Sequence, residues 1–254
     1  LADLTGKRDV FCIVATAGTT STGAVDPVDA IGRIAQEADT WFHVDGAYGL
    51  AYALVPEVAA LFDGLERADT ITWDPHKQMG VPIPCSILFA RDRELFKPMA
   101  LFSHYWNRAD EAGPNPGLKS VPSTRPFSAL PLVTSIRHQG LGGLIERLKK
   151  PIMAIRGFHA ALPTLTCVES LHVPDTGILC FRLVPGQMDM DEKELDRLQE
   201  HTYRTFLKKG KRVISVSKIG GRACLRAVAV SPSVTTDALM SMVYEAQQIA
   251  GAFR

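Results

Sequence analysis

The sequence predicts an α/β fold: a layered sheet with helices, followed by a smaller α+β unit. Two observations carry that reading. In the first half, short apolar runs that each end in a polar residue alternate with a helical stripe. In the last third, apolar runs come in close pairs flanked by stretches of helical period.

Each element follows from its own signal. Val10–Ala17 is an apolar run closed by Gly18, the pattern of a strand buried on both faces. Asp26-Pro27 starts a helix with Val28, Ile31, Ile34 and Ala35 on one stripe. Strands are expected at Thr40–Val44, ending at Asp45, at Ala68–Trp73, ending at Asp74, and at Ser86–Ala90. Strand, helix, strand with short joints marks a layered α/β sheet, which places ligands at the carboxyl ends of its strands. From Lys97 to Pro126, Pro98, Gly113, Pro114, Pro116, Gly117, Pro122 and Pro126 break any regular element. A loop beyond about 15 residues commonly serves as a lid or binding segment. A helix resumes at Ser128 and runs through Leu144, Ile145, Leu148, Ile152 and Ile155. Strands Cys167–Leu171 and Gly177–Val184, a helix from Asp191 with Leu195, Leu198 and Phe206 inward, strands Val213–Ser217 and Ala223–Val230, and a helix from Thr235 complete the chain. The expected division is a large domain over 1–133 and a small one over 134–254.

Charge and composition narrow the function. With 28 basic against 27 acidic residues, there is no electrostatic reason to expect nucleic acid or an acidic membrane as partner. No apolar run approaches the roughly 18 residues of a membrane-spanning helix. The five cysteines are scattered and form no Cys-x-x-Cys pair, which reads as reduced thiols, a cytoplasmic location and no zinc site. Lys7-Arg8 before the first apolar run imitates a signal peptide, but Asp3 and Asp9 spoil the basic leader. The chain opens on Leu1, close to a core strand, and is expected to lack its natural beginning.

Three segments hold candidate chemistry. In Trp73-Asp74-Pro75-His76-Lys77, a lysine follows a strand end among apolar neighbours. Enclosure would push its pKa down and suit it to a Schiff base. In His43-Val44-Asp45-Gly46-Ala47-Tyr48, a carboxylate ends a buried strand, either needing a cation or donors, or capping the next turn. Thr16-Ala17-Gly18-Thr19-Thr20 is a strand end followed by hydroxyls. All three stand where they would converge on one crevice.

These residues resemble the group II pyridoxal-phosphate-dependent amino-acid decarboxylases (glutamate, cysteine-sulfinate, diaminobutyrate and aromatic amino-acid decarboxylases). The resemblance rests on Ala15-Thr16-Ala17-Gly18-Thr19-Thr20, His43 to Tyr48, and Asp74-Pro75-His76-Lys77 continuing through Gly80-Val81-Pro82 to Cys85-Ser86, in order and at matching spacing. It implies fold type I, a three-layer α/β/α large domain with a small C-terminal α+β domain, and pyridoxal 5'-phosphate as cofactor. It implies that Lys77 holds the cofactor as a Schiff base and that Asp45 pairs with the pyridine nitrogen. Ala47 packs on a ring face, Thr20 approaches the phenolic oxygen, and Asp74 and His76 lie near the phosphate, His76 also near the substrate carboxylate. Lys77, Asp45 and His76 are the expected catalytic residues. His43, Tyr48 and Trp73 are read as packing residues.

The chain departs from the family in three ways. The resemblance implies that the family's N-terminal half, with its phosphate-binding loop and a ring-stacking histidine, is missing from this chain. Asp74 stands where relatives more often carry Asn, which sets a carboxylate beside a phosphate unless it is paired. The lid tyrosine has no match near Pro114-Asn115, and Tyr105 is displaced by about ten residues. The expected assembly is a homodimer with an amino-acid substrate, the N-terminal half being a separate chain or lost. The Met79-Gly80-Val81-Pro82 continuation leans towards the glutamate and cysteine-sulfinate branch, with Arg108, Lys119 and Arg125 in the loop available to an acidic side chain. Two other readings stand beside decarboxylation: the same fold running decarboxylative oxidation or a lyase step, and a non-catalytic homologue. Retention of Asp45 and Lys77 counts against the last.

Overall fold

A computed structural model describes residues 10–100, 102, 115–120, 122, 124–186 and 190–253. The expected elements form, with ends shifted by a few residues, as helix and strand boundaries usually are. The first sheet has the order β1 (Cys12–Thr16), β2 (Trp41–Asp45), β3 (Thr70–Trp73), β4 (Ile87–Ala90). The first three strands run parallel and β4 runs antiparallel to β3. Helix α1 (Val28–Glu37) crosses over between β1 and β2.

The two faces of this sheet differ. Ala15, Phe42 and Val44 point to one side and are buried with Val28 and Ala35 of α1. The opposite side carries the rungs Val14–His43–Thr70 and Thr16–Asp45–Thr72. There Val14 is 57% exposed and Leu88 46%. The expectation that the first strand is buried on both faces therefore does not hold among the described residues. Its apolar run is long enough to be covered on both sides, but only one cover is present here.

The second sheet is antiparallel throughout, in the order β5 (Val168–Ser170), β6 (Ile178–Leu183), β8 (Arg222–Val228), β7 (Ser215–Ile219). Two helices, α4 (Glu192–Lys209) and α5 (Thr236–Gly251), bury Leu198, Phe206, Val243 and Ala246 against Leu179, Phe181, Leu183 and Leu225. Helix α4 starts where the sequence places it, because Asp191 and Glu194 form a reciprocal capping box. It stops at Gly210, whose φ of 65° is the left-handed conformation that glycine adopts at no steric cost.

Two further helices complete the order. One turn, α2 (Pro75–Gln78), follows β3, and the long α3 (Ala129–Ala161) leads into the second sheet. Gly140 interrupts α3 with non-helical angles. The division expected at 133/134 lies inside this helix. Leu144, Leu148 and Ile152 belong to the first core, and Ala154, Ile155 and Phe158 to the second. No helix among the described residues is long and apolar enough to cross a membrane.

Candidate active site

The site is built at the carboxyl ends of β1, β2 and β3. Thr16, Asp45 and Thr72 stand side by side on the uncovered face. The turns beyond β1 and β2 are pressed together: Gly18 has φ 102°, and a Cβ on Gly49 would sit 2.2 Å from the Ala17 carbonyl oxygen. Only glycine permits both the conformation and the approach. These contacts fix the segment Asp45–Tyr48 against β1.

Asp45 is half-buried, and its Oδ1 accepts the Ala47 N–H at 3.1 Å. That is the turn-capping bond expected of an aspartate here, and Ala47 is its one donor among the described residues. The Ala47 carbonyl in turn accepts the Asp74 N–H at 3.3 Å. Asp74 then meets Lys77, with Nζ 2.9 Å from Oδ2. Asp45, Ala47, Asp74 and Lys77 thus form one continuous chain of contacts. Burial acts to raise the Asp74 pKa, but hydrogen bonds from Ser86 and Lys77 and the nearby charges of Lys77 and His76 outweigh it and hold the carboxyl below its ordinary range. The pairing that would make an aspartate tolerable at this position is present.

Lys77 is less enclosed than its apolar neighbours imply. Its side chain is 40% exposed. His76 is anchored away from the amine: its Nδ1 donates to the Cys85 carbonyl at 2.8 Å, and its backbone N–H donates to the same oxygen at 3.3 Å. Burial and the charge of Asp74 both push the Cys85 thiol pKa up, so it stays neutral beside them.

Thr20 stands apart. It is exposed on the loop after β1, and no hydrogen bond joins it to Asp45 or Lys77 among the described residues. Its carbonyl accepts from Arg226 Nη2, and Arg226 Nε donates to the Ser21 carbonyl at 3.0 Å. Asp175 and Thr176 hold the same loop through Val25 N–H and the Gly23 carbonyl. The second sheet therefore positions this loop, a role for Arg226 that the sequence pattern did not show. The three packing residues do pack. Trp73 stacks on Phe89 with centroids 6.2 Å apart, Tyr48 meets Tyr52 edge-on, and His43 Nδ1 lies 2.8 Å from Thr70 Oγ1.

Tyr105, Arg108 and Pro114 lie outside the described residues. Arg125 folds back on its own loop and donates to Ser120 Oγ and the Pro122 carbonyl. No group of three metal-ligating side chains occurs among the described residues. A cavity of about 530 Å³ beside Cys167, Leu183 and Gln247 belongs to the second unit and holds none of these groups.

Known proteins share both sequence and fold with this chain. It is 33% identical over 251 residues to the L-2,4-diaminobutyrate decarboxylase of Acinetobacter baumannii, covering 96% of this chain and 48% of that protein. The crystal structure of Oryza sativa TDC with PLP and tryptamine superposes with a TM-score of 0.89 at 26% identity, over 99% of this chain and 52% of that one. Mouse CSAD in its apo form gives 0.87 at 26%, over 97% and 53%. The chain thus spans about half the length of the relatives it matches, and its fold is the type I fold of PLP-dependent decarboxylases. Residues 5–184 match the model of the pyridoxal-dependent decarboxylase conserved domain, and the chain belongs to that family.

Proposed function

We propose that this chain is the lysine-bearing half of an enzyme that removes the carboxyl group of an amino acid. One observation carries the reading: an amine and a carboxylate stand at the ends of adjacent parallel strands, linked through Ala47 and Asp74. The family cofactor is pyridoxal 5'-phosphate. The donor set fits it, since Lys77 offers an amine to the aldehyde and Asp45 keeps one carboxylate oxygen for the ring nitrogen. When bound, the cofactor supplies an electron sink for the bond that breaks. Asp74 holds the Lys77 amine in place, Ala47 and Thr20 border the ring, and His76 lies beside the phosphate or the substrate carboxylate.

Borohydride reduction of the chain assembled with its complementary half, in the presence of pyridoxal 5'-phosphate and followed by peptide mapping, tests this. The adduct is expected on Lys77, and a dominant label on any other lysine ends the assignment.

The same reading proposes a complementary N-terminal half and a homodimer. The uncovered sheet face supports the first. Phe127 just before α3, and Leu130, Val133, Ile136 and Leu141 within it, all at least 39% exposed, support a further interface. Light scattering is expected to show at least two copies of the chain, each with its missing half. A stable monomer of the reconstituted protein would remove the dimer. Placement in the cytoplasm and a domain division near 133/134 belong to the same proposal, to be checked by fractionation and limited proteolysis.

A further inference from the structure

Gln78, the residue after Lys77, is 4% exposed, and its Oε1 accepts a hydrogen bond from the Tyr52 hydroxyl at 2.9 Å. Tyr52 is fully buried in the 3-10 turn Leu50–Leu54, just beyond the Asp45–Tyr48 segment. Burial, and then the neighbouring Tyr48, push the Tyr52 pKa up, so the hydroxyl keeps its proton and remains a donor. The Gln78 Nε2 is buried without a partner. As packing alone, this pair is a poor choice. A buried hydroxyl–amide bond gains little net stability, an orphaned amide group costs more, and two apolar side chains of similar shape would do as well.

The geometry of α2 shows what the pair does. Four residues make one turn, too short to be stable by itself. Successive residues of a helix are about 100° apart around its axis, so His76 and Gln78 point to nearly opposite sides, with Lys77 between them. His76 is tied to Cys85 on one side, and Gln78 to Tyr52 on the other. We propose that the Tyr52–Gln78 hydrogen bond positions Lys77 by preventing the one-turn helix from rolling about its axis. With side chains reaching about 5–6 Å from a helix axis, a roll of about 10° moves a side-chain tip by about 1 Å. Displacement of that size can cost about a hundredfold in rate when two reacting groups must meet. Gln78 and Tyr52 are thus positioning residues that link the lysine turn to the segment carrying Asp45. This inference rests on Lys77 being the reactive amine.

The test uses the chain assembled with its complementary half, with pyridoxal 5'-phosphate, borohydride reduction and peptide mapping, reading the Lys77 adduct relative to that on Lys209, which is 45% exposed. In the wild type, Lys77 is expected to be labelled well ahead of Lys209. Tyr52→Phe and Gln78→Met are each expected to lower that ratio about tenfold or more. The double variant Tyr52→Phe/Gln78→Met restores an apolar contact and is expected to melt at the wild-type temperature while keeping the low ratio. A double variant that labels Lys77 as the wild type does would show that the bond serves packing, and would overturn the positioning role. Wild-type labelling without preference for Lys77 would instead overturn the reading of Lys77, and this inference with it.

Discussion

Replacing Asp45 by asparagine is expected to slow the assembled enzyme by about 10²-fold or more while the cofactor remains bound. The variant separates two roles of one side chain. Asparagine keeps an Oδ1 able to accept the Ala47 N–H, so the turn and its link to Asp74 survive. On the proposed role, it removes the negative charge that would keep the nitrogen of a bound cofactor ring protonated. A hundredfold loss is about 2.7 kcal/mol of barrier. Steady-state rates with a titrated cofactor content measure it. A rate within about threefold of wild type, under about 0.7 kcal/mol, would leave Asp45 as a turn cap and nothing more.

The second large effect concerns stability, in the antiparallel sheet. Arg182 is wholly buried on β6, with Nη2 bonded to Asp196 Oδ1 at 2.9 Å and to the Glu192 carbonyl at 3.2 Å. Its Nε and Nη1 have no partner. Asp196 also accepts the Ala223 N–H at 2.9 Å, where β6 and β8 part. Removing one partner of a buried pair strands the other charge, at a cost of about 3–5 kcal/mol. Asp196 is itself one-third exposed and Glu192 Oε2 stays 3.1 Å from the same nitrogen, so Asp196→Ala is expected to lose less than that, about 1.5–3 kcal/mol, in urea unfolding. Arg182→Met, which keeps the stem and removes the charge, is expected to lose less or even to gain. If Asp196→Ala cost under about 1 kcal/mol, Glu192 alone would suffice for the guanidinium.

The strands were legible because each is a short apolar run with a polar stop. The placing of Asp45 and Asp74 was legible because each closes an apolar run, and the structure sets them at the ends of adjacent parallel strands. Helix α4 announced itself through Asp191 and the stripe of Leu195, Leu198 and Phe206. Other features needed coordinates. Residues 50–67 form three 3-10 turns, for which neither a period of two nor of 3.6 gives a signal. The Tyr52–Gln78 bond joins residues 26 positions apart, and Arg226 reaches Ser21 across 205. The enclosure inferred for Lys77, and for both faces of β1, was read from apolar neighbours in the sequence. Local composition says that a surface is suited to being covered, not which part of the molecule covers it.

The long helix α3 has a consequence for how the protein opens. Because consecutive turns around Ile152 and Ala154 face different cores, neither core can loosen without drawing side chains out of the other. Amide protons in these turns can exchange with solvent only through an opening that disrupts both sheets at once, whereas the stretch before Gly140, largely exposed, frays locally. The turns near Ile152 act as a clasp that couples the opening of one sheet to that of the other.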